Sequence, residues 1–166
     1  MIYVVIGQSG AGKTTFCKTR FLKEPFIPVE SYPVACTRSG NVYAIGKYGI
    51  GIRTEGTDTL SYNAMPKIIQ TVKDLLHDGH QDILMEGDRI NNDVMFLFLA
   101  ALQVPVRLYL LRCDIQTSLK RLRAAGSKIT PVFVKSTRTK AMKRFMRWGQ
   151  TFQGEVIDTD GDRLQS

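Results

Sequence analysis

The segment Gly7-Gln8-Ser9-Gly10-Ala11-Gly12-Lys13-Thr14 constrains this chain more than any other, because it satisfies G-x-x-x-x-G-K-[ST] at every fixed position. Glycines let a backbone wrap so that successive N–H groups converge on an anion. A helix starting there adds the positive end of its dipole. The context agrees with that reading. Residues 2–6 form an apolar, β-prone run suited to a buried parallel strand, and 13–23 predict a helix stopped by Pro25. In such a cradle Lys13 reaches β- and γ-phosphates and the Thr14 hydroxyl ligates Mg²⁺. Thr15 adds the next turn of the helix to the nucleotide-contacting set. The expected ligands are ATP or GTP with magnesium.

The rest of the chain alternates. Strands are predicted at 26–29, 82–85, 106–111 and 156–158. Helices are predicted at 64–76, 93–103, 115–125 and 139–148, with a loop over 126–137. Residues 34–52 break the pattern. β-prone pieces there are interrupted by Ser39-Gly40-Asn41, Gly46, Gly49 and Gly51, which implies a β excursion. Alternating strands and helices predict a three-layer α/β fold of the P-loop kinase-like kind. It would have a central parallel five-stranded sheet, helices on both faces, and one domain over 1–166. In such sheets ligands sit beyond the carboxyl ends of the strands. Cys17, Cys36 and Cys113 have no metal-binding spacing, so reduced structural thiols are expected. The apolar run 94–102 is too short to span a bilayer, so a soluble cytoplasmic protein without membrane contact is expected.

Strand ends nominate the chemistry. The strand at 82–85 closes on Glu86-Gly87-Asp88, where Glu86 can hold the metal shell through water and Asp88 is a second candidate for that role. Three acids are candidates to accept the proton of a substrate hydroxyl: Glu30 at the end of the second strand, Asp58 in Gly56-Thr57-Asp58-Thr59, and Asp88. No N-K-x-D guanine-recognition sequence occurs, and the chain is barely larger than a minimal P-loop core. A kinase fits this better than a switch or motor. The region 112–147 is expected to act as its basic lid, with Arg121, Arg123 and Lys128 supplying cations to the transferred phosphoryl group.

Charge extends that expectation. The chain carries a net +8, and 112–147 holds eleven basic residues against Asp114 alone, a local balance of +10. Such polarity suits a polyanion, from nucleotide phosphates to a DNA backbone. Arg38, Arg53, Arg89, Lys128 and Arg138 are the predicted contacts to substrate or DNA phosphate. Phe133, Phe145 and Trp148 are aromatics available to stack on bases or to pack inward.

The P-loop, the glycine-rich excursion, Gly56-Thr57-Asp58-Thr59-Leu60-Ser61 and the short basic lid together resemble phage P-loop kinases of DNA hypermodification, the 5-hydroxymethyluracil DNA kinases. The resemblance implies transfer of phosphate to the 5-hydroxymethyl group of a modified base in DNA, with Lys13 and Thr14 at phosphate and metal and Asp58 as the preferred base. Two other acceptors stay open, a free nucleoside or nucleotide and a DNA 5′ end. So does a nucleic-acid-binding NTPase without transfer activity.

Overall fold

Period-two alternation along the first strand sets the layers. The computed structural model describes residues 1–49 and 55–160. In β1 (Ile2–Gly7), Ile2, Val4 and Ile6 enter one buried cluster, while Val5 enters a second on the opposite face. β5 (Asp82–Glu86) divides in the same way, with Ile83 and Met85 against Leu84. β6 (Val106–Arg112) follows, with Leu108 and Leu110 against Tyr109 and Leu111. A strand apolar on both sides needs cover on both sides. Three helices supply it on the first face: α2 (Met65–His77), α3 (Asp93–Ala101) and α5 (Pro131–Trp148). On the second, α1 (Lys13–Arg20) brings Phe16 and Cys17.

The sheet has seven strands in the order β2-β3-β4-β5-β1-β6-β7. Five consecutive neighbours, from β4 (Val42–Ile45) through β5, β1 and β6 to β7 (Glu155–Asp158), pair in parallel. The expectation of five strands thus undercounts by two. The excursion contains β3 (Cys36–Ser39) and β4, a hairpin pair that turns at Gly40 and docks β4 onto β5. β2 (Ile27–Val29) is consequently displaced to the sheet edge, where it pairs antiparallel with β3. Positions 50–52 of the predicted excursion lie outside the described residues.

The other correction concerns the predicted loop at 126–137. α5 begins at Pro131, with Thr130 as N-cap accepting from the Phe133 amide at 3.3 Å. The cue was present: threonine followed by proline is a helix-start pair, since proline lacks the N–H that the first turn leaves unsatisfied. Thr130 therefore ends a short connection after α4 (Ile115–Ala124), and α5 packs along β1 and β6 through Val134, Thr137 and Ala141. Most of the predicted lid is helix seated on other helices or on the sheet. Only Cys113-Asp114 and the link between α4 and α5 are irregular.

The three cysteines are free and buried. No helix among the described residues is long and apolar enough to cross a membrane. Phe96 is fully buried, meeting Phe152 at 5.9 Å and Trp148 at 6.1 Å between ring centroids. Truncating Phe96→Ala is expected to cost about 3–5 kcal/mol in denaturant unfolding, because the surrounding rings cannot close the void. A loss below about 1 kcal/mol would show that this cluster is loosely packed.

Candidate active site

Parallel pairing of β1 with β5 brings two chemistries to one edge. Val5 lies opposite Glu86, so the phosphate loop and the acidic strand end emerge side by side. Gly10 takes φ +79, and a Cβ there would stand 2.7 Å from the Ser118 carbonyl oxygen, so only glycine fits the wrap of this loop against α4. The loop is braced from outside. Buried Gln8 donates through Nε2 to Ser118 Oγ at 2.6 Å and to the Cys113 carbonyl at 2.9 Å. Thr137 on α5 accepts from the Ser9 amide at 3.1 Å. Thr159 donates to the Ala11 carbonyl at 2.9 Å.

Lys13 leans back over its own loop, with Nζ 3.3 Å from the Gly7 carbonyl and 3.2 Å from that of Gln8. Thr14 Oγ1 donates to Glu86 Oε1 at 2.6 Å. Glu86 is 2% exposed, and burial pushes its carboxyl up to about 7 despite the opposing pull of Lys13 and the Thr14 bond. The Tyr48 hydroxyl lies beside it outside hydrogen-bonding geometry, buried and without a partner among the described residues. A hydroxyl and a buried, undercompensated carboxylate in contact form an oxygen donor pair for a hard divalent cation. Mg²⁺ takes one or two such protein oxygens and completes its shell with water and substrate phosphate. The residues therefore fit Mg²⁺ at Thr14 and Glu86.

Asp58 joins this group. It stands in a 3₁₀ turn (Thr57–Thr59), held over β5 by the Thr57 hydroxyl donating to the Glu86 carbonyl at 2.5 Å. Asp58 Oδ1 accepts from the Asp88 amide at 3.2 Å. Gly87, at φ +121, makes this approach feasible, since a Cβ there would lie 2.7 Å from Thr57 Oγ1 and 2.9 Å from Asp58 Oδ1. The second oxygen of exposed Asp58 has no partner among the described residues. Its charge is close enough to raise Glu86 further.

Other candidates lie elsewhere or are already engaged. Glu30 follows β2, four strands from β1, roughly 19 Å away at about 4.8 Å per strand. The hairpin inserted between β2 and β5 causes this separation. Asp88 pairs with Lys140 at 3.0 Å. Arg121 donates to the Thr159 carbonyl at 2.7 Å and its hydroxyl at 3.2 Å, so it braces the loop through Thr159. Arg123 and Lys128 are exposed, Arg123 at the end of α4 and Lys128 in the α4–α5 link. Arg138 is half-buried and follows Thr137 on α5. Arg89 is spent on a stack with Tyr62 and a bond to the Leu60 carbonyl at 3.3 Å. Arg38 pairs with Tyr43, which pairs with Ile83 at the amino end of the parallel strands, so it sits on the sheet edge opposite the phosphate loop. Arg53 lies outside the described residues. Phe145 and Trp148 pack against the core, whereas Phe133 is exposed.

The +10 run is also less isolated than its sequence count suggests. Acids from elsewhere meet it: Asp158 pairs with Arg112 at 3.2 Å, Asp93 with Arg147 at 3.0 Å and with Arg144, and Asp88 with Lys140. Thr137, Lys140 and Thr57 are site residues that the sequence does not nominate, and Gln8, expected at the phosphates, also braces the loop through its side chain. Thr137 and Lys140 lay in or next to an expected loop, and nothing in their local sequence marks contact with the P-loop or with Asp88.

The strand–loop–helix cradle, acidic neighbouring strand and parallel sheet define a P-loop kinase-like α/β fold. No protein-family model matches the chain, and no curated protein matches it. Among solved structures it is similar to deoxyadenosine kinase from M. mycoides with bound dATP, at TM-score 0.49 and 12% identity over 98% of this chain and 93% of that one. The same enzyme with bound dCTP gives TM-score 0.47 and 13% identity, over 98% and 92%.

The buried carboxylate has a measurable consequence. Glu86 ionises near 4.5 when unfolded and at about 7 when folded. Between those values unfolding releases its proton, so rising pH destabilises the folded state; above the folded value the penalty is constant. In metal-free, nucleotide-free protein, Glu86→Gln should therefore gain on wild type by on the order of 3 kcal/mol between about pH 4.5 and 8. Denaturant titrations across that range check it, and parallel stability curves for the two proteins would contradict it.

Proposed function

We propose that this chain is a kinase moving the γ-phosphoryl group of ATP or GTP to a hydroxyl of a nucleoside or nucleotide acceptor. The contact that carries the reading is Thr14 to Glu86 at 2.6 Å, with Lys13 and Asp58 beside it. P-loop amides receive the phosphates, and Lys13 exchanges its two loop carbonyls for β- and γ-oxygens. Thr14 and Glu86 would hold Mg²⁺, which would supply positive charge to the phosphates. The uncommitted oxygen of Asp58 takes the proton of the acceptor hydroxyl. Lys140, one turn along α5 from Thr137, is held at Asp88 and supplies a cation there.

A small acceptor is favoured over a DNA track because Asp88, Asp93 and Asp158 neutralise part of the basic region. The DNA-base reading keeps one supporting observation. Lys120, Arg123, Lys128, Lys135, Arg138 and Lys143 have no acidic partner among the described residues. Incubation with γ-labelled ATP and, separately, nucleosides, nucleotides, plain DNA and DNA containing 5-hydroxymethyluracil distinguishes the acceptors. Label is expected in a nucleoside or nucleotide product. Label confined to the modified DNA would select the second reading, and release of inorganic phosphate alone would overturn both.

Lys13→Ala is expected to reduce transfer by about 10²–10³-fold, since it removes a charge from the transition state. Asp58→Asn is expected to lower kcat by about 10²–10⁴-fold with little change in nucleotide KM. Full turnover in Asp58→Asn would transfer the base role to Asp88.

A further inference from the structure

Among the described residues Tyr62 is the most exposed large apolar side chain, at 84%, and yet it is anchored. The Arg89 guanidinium lies 3.5 Å from its ring centroid, and Arg89 is itself tied by Nε to the Leu60 carbonyl at 3.3 Å. A cation on one face orders an aromatic ring and leaves the other face free. The ring packs against no other aromatic among the described residues and contributes to neither core cluster. Its neighbours are functional. Tyr62 lies four residues after Asp58 on the same loop, and Arg89 directly follows Asp88, whose amide bonds Asp58. The Tyr62–Arg89 stack therefore joins the two segments that carry the proposed proton acceptor.

We infer that the open face of Tyr62 is a stacking platform for the planar heterocycle of the acceptor, a nucleobase whose hydroxyl-bearing sugar or substituent then reaches Asp58. The inference rests on the kinase reading for what happens to that hydroxyl, but the stacking itself does not. Stacking recognises the ring's face, so it accepts purines and pyrimidines alike and demands planarity. Arg89 adds polarisation from beneath, which explains why its guanidinium is held on the ring and not extended toward phosphate. A free nucleoside and a base turned out of a DNA strand present the same face, and they differ only in what flanks the ring.

Equilibrium binding separates this inference from turnover. Calorimetric titration of the wild-type chain, Tyr62→Phe and Tyr62→Ala with deoxyadenosine, thymidine, a thymidine-containing single-stranded oligonucleotide and, as a non-planar control, ribose reads the platform directly. At least one nucleobase ligand is expected to bind the wild type and Tyr62→Phe alike and to weaken about tenfold or more in Tyr62→Ala. Ribose should show no dependence on residue 62. Binding of ATP, whose phosphates rest on the P-loop, should be unchanged in all three proteins. Nucleoside binding assigns the ring to a free acceptor, and oligonucleotide binding alone assigns it to a strand. Equal binding to wild type and Tyr62→Ala, or none of these ligands bound by the wild type, overturns the platform. If stacking is lost in Tyr62→Ala but wild type transfers no phosphate to the bound ligand, the platform stands and the kinase reading fails.

Discussion

The candidate site is organised around the hydrogen bond between Thr14 and Glu86. That bond joins the first turn of α1 to the end of β5, two segments 72 residues apart in the chain. It exists because β1 and β5 pair in parallel with Val5 opposite Glu86. A shift of one residue in that register would turn the carboxylate to the other face of the sheet. The bond also sets the electrostatics. A carboxylate so buried resists ionisation, and the Lys13 charge and the Thr14 hydrogen bond offset its desolvation only in part.

Around that contact the protein spends its polar side chains on holding the loop in place. Gln8, Ser118, Thr137, Thr159 and Arg121 anchor it from α4, α5 and the segment after β7. The glycines supply curvature but no rigidity, so bracing has to come from outside the motif. This changes the meaning of the basic C-terminal half. In place of a detached flap, α5 is a long helix on the sheet whose Thr137 reaches the P-loop and whose Lys140 reaches Asp88.

Local signals were legible where they were strong. The P-loop, the strand before it and the acid at the end of β5 follow from apolar runs and glycine spacing, and so does the alternation that makes the sheet. The insertion of β3 and β4 was not legible as part of the sheet, because a hairpin's partner strand is a long-range choice. That insertion is what carries Glu30 away from the site. Charge misled for a related reason: counting acids within 112–147 omits Asp88, Asp93 and Asp158, which folding brings to the same surface. Asp58 reaches Glu86 because Thr57 caps the carbonyl of that strand end, a contact no spacing rule encodes.

The central claim is that Thr14 and Glu86 form half of a metal site completed only by nucleotide phosphate. Thermal unfolding followed across a magnesium titration, with and without a non-hydrolysable ATP analogue, tests it most directly. Magnesium alone and the analogue alone are expected to shift Tm little, and the two together to raise it well beyond the sum of their separate effects. Strictly additive shifts, or an analogue that stabilises the protein equally in the presence of a chelator, would contradict it.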